Sequence, residues 1–137
     1  MPNTQAIGVA YSDPEFTTMY ASQEIGYSAA AQGSVTQLTS KSTAVTLNKS
    51  AGQITMNNAA LAGNTAASFT LNNSLISAND TIIVCISSVT TGSTAGAYTS
   101  YVSNMTTGSA SITLRNLSGT SYSEAVVINF AIIHGAS

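Results

Sequence analysis

An antiparallel β-sandwich or jelly roll of about eight short strands, preceded by an N-terminal arm, is the fold this sequence predicts. Three observations carry the prediction. Apolar residues recur two apart in short runs from about Ala29 to Ser137, which is how a strand with one buried face is written. Clusters of Gly, Asn, Ser and Thr stand between the runs as turn signals. No long stretch carries the apolar spacing of a helix.

The chain divides into an arm, 1–28, and a β domain, 29–137. The arm holds Asp13, Glu15 and Glu24, the aromatics Tyr11, Phe16, Tyr20 and Tyr27, and both prolines, Pro2 and Pro14. It has no clean period of two. "DPEFTTMYASQEIG" is compatible with a short helix, with Asp13 as N-cap and Pro14 in the first turn. The segment as a whole reads either as an ordered lead-in to the domain or as an arm whose aromatics dock on another subunit.

The strand candidates follow in order: "SVTQL", "AVTL", "GQITMN", "ASFTL", "DTIIVCIS", "AYTSYVS", "SASITLR" and "EAVVINFAII". In "ASFTL" Phe69 and Leu71 share a face. In "SASITLR" Ile112 and Leu114 share one face and Thr113 and Arg115 the other. Turn signals separate the runs: "LNKSAG", "LAGN", "LNNS", "TTGSTAG", "MTTG" and "NLSGT". "NNAALAGNTA" has room for one helical turn at most. Two runs differ from the rest. From Val126 to Ile133 both faces are apolar, broken only by Asn129, and Ile82 to Ile86 run apolar without a break. Such strands read as buried on both sides, so both are expected at the centre of a sheet and at a subunit interface. Cys85, inside one of them, reads as an inert core thiol.

Composition narrows the function. The 137 residues suit one domain. Charged residues are only 6% of the chain, against roughly 25% in an average domain. A chain that is 44% hydrophobic is not a disordered one, so its surface is made of Ser, Thr, Asn, Gln and Ala. A formal charge of −2 gives up most of the mutual repulsion that keeps small proteins apart, and assembly is the expectation. Nucleic acid is not an expected partner, because Lys41, Lys49 and Arg115 are the whole cation set and are scattered. No membrane span or secretory signal is recognisable, and the start reads as a mature cytosolic N-terminus.

Catalytic and metal chemistry find little to work with. Ser28, Asp80 and His134 stand in the chain order of a hydrolase triad, but "GYSAA" and "GTSYS" both lack the final glycine of a nucleophile elbow. His134 reads as a surface residue at the end of the last strand. Asp80 and Glu124 are the only acids of the β domain. A glycosidase pair is a weaker reading than a turn aspartate at Asp80 and a Glu124–Arg115 ion pair. One His, one Cys and these acids show no metal-ligand spacing, and no phosphate-binding loop is present. No catalytic residue, metal or cofactor is expected.

The stretches "GSVTQLTSKSTAVTLNKSAGQITMNNAAL", "ASFTLNNSLISANDTIIV" and "GSASITLRNLSGTSYSEAVVINFAII" resemble a domain common in tailed-phage and prophage structural proteins. The resemblance covers about Gly33 to Ile133, and "TSKSTAVTLNK", "GQITMN" and "SEAVVINFAII" are its most specific pieces. The arm "AYSDPEFTTMYASQEIGY" is similar to that of short phage head proteins. A chain this short is similar to the capsid decoration, or cement, class. That class implies a homotrimer on the outer capsid surface of the virion, made in the host cytoplasm, with the major capsid protein as partner and no enzymatic activity. On this reading Asp13, Glu15, Phe16, Tyr20, Glu24 and Ile25 dock on the shell, and Val126, Val127, Ile128, Phe130 and Ile132 form the core strand of the trimer. The alternative is a fibre or adhesin domain that binds a host glycan on a platform of Tyr98, Tyr101 and Tyr122.

Overall fold

A computed structural model describes residues 18, 20–90 and 94–135. The expected docking residues Asp13, Glu15 and Phe16, and the start of the expected arm helix, lie outside these. The described part of that stretch, 20–26, contains no helix. The first regular element is a 3-10 turn, Ala29–Ala31, and eight strands follow: β1 Gln32–Thr36, β2 Val45–Thr46, β3 Ala51–Thr55, β4 Ala66–Asn72, β5 Thr81–Val89, β6 Tyr98–Thr106, β7 Ser109–Asn116 and β8 Val126–Ile133. A second 3-10 turn, Ala95–Ala97, precedes β6.

The strands form two four-stranded sheets, β1-β3-β8-β5 and β2-β4-β7-β6, and the all-β sandwich is as the sequence predicts. The sheets are mixed rather than strictly antiparallel: β1 pairs β3, and β2 pairs β4, in parallel. Parallel neighbours need a crossover between them. Here the chain supplies it by changing sheet at each of its first four strands, so β2 is the crossover for β1 and β3, and β3 is the crossover for β2 and β4. β6 and β7 form a hairpin, with Gly108 taking a φ of 84° in its turn, a backbone region glycine enters at little cost.

Alternation puts the core where the two sheets face each other. Ile54, Leu71, Ile112, Leu114, Val126, Ile128 and Ile132 have no exposed surface at all. Phe69 and Met56 are also buried there. The approach of β1 to β3 depends on Gly52, where an added Cβ would stand 2.6 Å from the Gly33 carbonyl oxygen.

β8 lies inside its sheet, between β3 and β5, as expected of a run this apolar. Val126, Ile128, Phe130 and Ile132 point into the core. Its other face is not uniformly covered: Val127 is buried, but Asn129 and Ile133 are exposed and Ala131 is half-buried. β5 departs further from expectation. It is an edge strand rather than a central one. Ile82, Val84 and Ile86 pack toward the core, whereas Ile83 and Cys85 face outward. Cys85 is therefore an exposed thiol and not a core one. An unbroken apolar run does not distinguish a strand covered on both sides from one whose outer side chains await a partner.

Candidate interaction surface

The two acids of the β domain, Asp80 and Glu124, each belong to a structural cluster. At the end of β8, Asp80 accepts hydrogen bonds from the Ser77 amide at 2.8 Å, the Ser77 hydroxyl at 2.7 Å and the Gly135 amide at 3.1 Å. His134 Nδ1 stands 3.1 Å from Oδ2, the oxygen that also accepts the Ser77 amide. The Ser77 backbone hydrogen bond leads the causes that hold the Asp80 carboxyl down at about 2. The sequence set Ser28, Asp80 and His134 is thus half assembled: Asp80 and His134 meet, but the hydroxyl in the cluster is Ser77, and it donates to the aspartate rather than to the histidine. In a triad the histidine lies between nucleophile and acid. Here the acid lies in the middle, bonding its own turn as an Asp in "AND" is expected to do. His134 is exposed just past β8.

At the other end, Lys41 is buried, and its Nζ donates to the main-chain carbonyls of Asn57 at 2.6 Å and Glu124 at 2.5 Å. Desolvation lowers the Lys41 pKa, and the nearby Glu124 charge offsets part of that. The Glu124 carboxylate accepts hydrogen bonds from the hydroxyls of Thr94 and Tyr98. Burial, and then the Glu124 carboxylate, raise Tyr98 well above the ordinary phenol range. Gln37, also buried, bonds the carbonyls of Lys41 and Thr43 and the Asn57 amide. The expected Glu124–Arg115 pair does not form: Glu124 is turned inward to this cluster, and Arg115 is exposed on β7. The cluster joins the loop at 37–43, the turn at 57 and the entry to β8, and every hydrogen-bonding group named in it is engaged within the protein. No group of three His, Cys, Asp or Glu side chains gathers among the described residues. No described helix is long and apolar enough to cross a membrane.

The outward faces of the two sheets differ in chemistry. On β4, β7 and β6 the outer face is a net of hydroxyls: Ser68 bonds Thr113 at 2.7 Å, Thr113 bonds Ser103 at 2.9 Å, and Ser103 bonds Ser111 at 3.3 Å. Tyr101, in register with Thr113, is exposed there. Tyr98 is instead buried, edge-to-face with the half-buried Tyr122 at 6.3 Å between ring centroids. The three tyrosines of the expected glycan platform therefore do not share a surface.

The outer face of β1-β3-β8-β5 is uncharged and partly apolar. One register row across it is Gln53, Asn129 and Cys85, with Gln53 Nε2 donating to Asn129 Oδ1 at 3.1 Å. The next row is Ala51, Ala131 and Ile83, with Ile133 beyond it at the end of β8. The segment at 25–27 lies across this end. Tyr27 donates its hydroxyl hydrogen bond to the Ile132 carbonyl, and Ile25, Gly26 and Tyr27 close a cleft of about 570 Å³ with Ala131, Ile133 and His134. Ile83 is 52% exposed, Ile133 55% and Ile25 71%. These are large apolar side chains left at the surface beside the cleft.

Among the residues expected to dock, Tyr20 and Glu24 are exposed and Ile25 is a wall of this cleft. Of the expected trimer strand, Val126, Ile128, Phe130 and Ile132 are core residues, and Val127 is buried on the outer side. The apolar residues that do face outward at this end are Ile83, Ala131 and Ile133, with Tyr27 bonded to the Ile132 carbonyl beside them. Their signal was present as every second residue of "TIIVCIS" and "VVINFAII", hidden by apolar neighbours on both sides.

Fold and surfaces together define an all-β sandwich with one hydroxyl-covered outer face and one uncharged outer face that is apolar at its cleft end. No protein-family profile matches this chain, and neither a curated protein nor a solved structure does.

Proposed function

We propose that this chain is a structural virion protein of the capsid decoration class, bound to the outer surface of the shell as a homotrimer that stabilises it. The observation that carries the reading is the apolar patch of Ile83, Ala131 and Ile133 on the otherwise polar, uncharged outer face of β1-β3-β8-β5, in a protein whose domain acids, Asp80 and Glu124, are both spent on internal bonding. Such a face is suited to lasting contact with other protein surfaces. The resemblance of "TSKSTAVTLNK", "GQITMN" and "SEAVVINFAII" to phage structural domains supplies the finer assignment. A protein that binds only the assembled shell stabilises it by mass action, and needs no active site to do so.

The glycan-binding fibre domain is the alternative. Tyr101 alone among its three tyrosines is exposed on the hydroxyl face, and a single exposed ring is a poor sugar platform. Cosedimentation of the purified protein with undecorated shells, followed by heat or denaturant challenge of the shells, tests the assignment. Binding with a raised disassembly midpoint is expected. Absence from the shell pellet, with recovery in tail fractions, overturns it.

A further inference from the structure

We infer that the cleft end of the outer β1-β3-β8-β5 face, built by Ile25, Tyr27, Ala131, Ile133 and Ile83, is the surface through which one copy of this chain binds the next. The inference rests on the assembly part of the proposed function and names the contact that makes it. The occupant follows from charge and from position. No Lys, Arg, Asp or Glu side chain lines the cleft, and its one ionisable wall, His134, is already bonded to Asp80, so the surface offers little to steer or pair a charged partner. A matching surface must itself be neutral and apolar. Among the described residues, Tyr20, Ile25, Tyr27, Ile83 and Ile133 are five of the nine exposed large hydrophobic side chains. All five belong to this face or to the segment leading onto it, so the neutral apolar surface that meets it is supplied by a neighbouring copy of this chain.

The strand edge points the same way. β5 ends its sheet with a nine-residue run, TIIVCISSV, that contains neither charge nor proline. Proteins guard exposed edges with charges, prolines or cover, and an unguarded one accepts another strand. The one interruption is an irregularity between Ile86 and Ser88. Residues 81–86 are thus a regular open edge beside Ile83, continuous with the cleft. A neighbouring copy seated here buries Ile83 and Ile133 and covers the edge in the same contact.

The test uses the full chain without shells, so that it reads self-association and not capsid binding. Light scattering with size exclusion at tens of micromolar is expected to give a multiple of the 13.9 kDa chain mass. Ile83→Lys with Ile133→Lys is expected to reduce it to one chain with an unchanged far-UV spectrum, while Tyr101→Lys, on the opposite outer face, leaves the assembly intact. Thiol labelling of wild-type Cys85, two residues along β5 from Ile83, gives a readout that needs no variant on the face: its labelling is expected to be lost as concentration is raised through assembly. A wild-type monomer at these concentrations, an assembly that survives the double substitution, or Cys85 labelling independent of concentration overturns the inference. Shell binding by a protein that proves monomeric would leave the decoration assignment standing and remove this one.

Discussion

Asp80 shows how much a single side chain does in a protein with so few charges. Its carboxylate ties the turn at 77–80 to the amide of Gly135, past the end of β8. Because its folded pKa lies near 2, below the ordinary 3.8, the ionised form is the one the fold favours. That contribution is complete above the ordinary value and is lost as pH falls through about 4 toward 2. Thermal melts from pH 6 to about 2 are expected to show this loss in the wild type. Asp80→Asn is expected to lower the melting temperature at neutral pH and to flatten the acid limb. A variant with the same acid limb as wild type would mean that the Asp80 bonds do not set it. Lys41 teaches a different lesson about residues. Its bond to the Glu124 carbonyl spans 83 positions, and no local pattern announces a contact so distant. A lysine in "TSKST" reads as an ordinary loop cation until the fold brings β8 against it.

At the scale of elements, β8 and β3 carry the sharpest expectations. Ile128 is fully buried between β3 and β5. Ile128→Asp buries a carboxylate without a partner, which costs several kcal/mol or forces it to take up a proton. Urea or thermal unfolding is expected to find the variant largely unfolded at neutral pH, and a melt within a degree or two of wild type would contradict the burial. Gly52→Val is expected to cost about 1–3 kcal/mol by overpacking, because its Cβ would meet the Gly33 carbonyl, Leu47 and Phe130. An unaltered denaturation midpoint would show that β1 yields freely. Strands such as β7 were legible in the sequence, since Ile112 and Leu114 alternate with hydroxyl residues and match the buried positions. The parallel pairing of β1 with β3 and β2 with β4 was not, because period-two alternation is the same whichever way the neighbour runs. The edge position of β5 was hidden for a related reason: Ile83 has the chemistry of a core residue and the location of a surface one.

For the whole molecule, the division of labour is between a sandwich that holds itself together and a segment that reaches out from it. Residues 20–24 are exposed throughout, with Tyr20 at 92%, whereas Tyr27 is fastened to β8. Removing residues 1–24 is therefore expected to leave a folded, self-associating protein that no longer cosediments with shells. Full shell binding after the deletion would move docking onto the sandwich, and loss of self-association would make the arm the clasp between copies. The strand order carries a consequence for how the protein is made. In β1-β3-β8-β5, the strand that joins β1 and β3 to β5 comes after all three in the sequence and is synthesised after them. Until residues 126–133 have been synthesised, half the sandwich has no centre, and the apolar faces of β3 and β5 have nothing between them. Folding of this sheet thus waits for β8, when pairings distant in sequence must form together and slowly. Nascent chains arrested before Val126 should stay open to protease attack however long they wait.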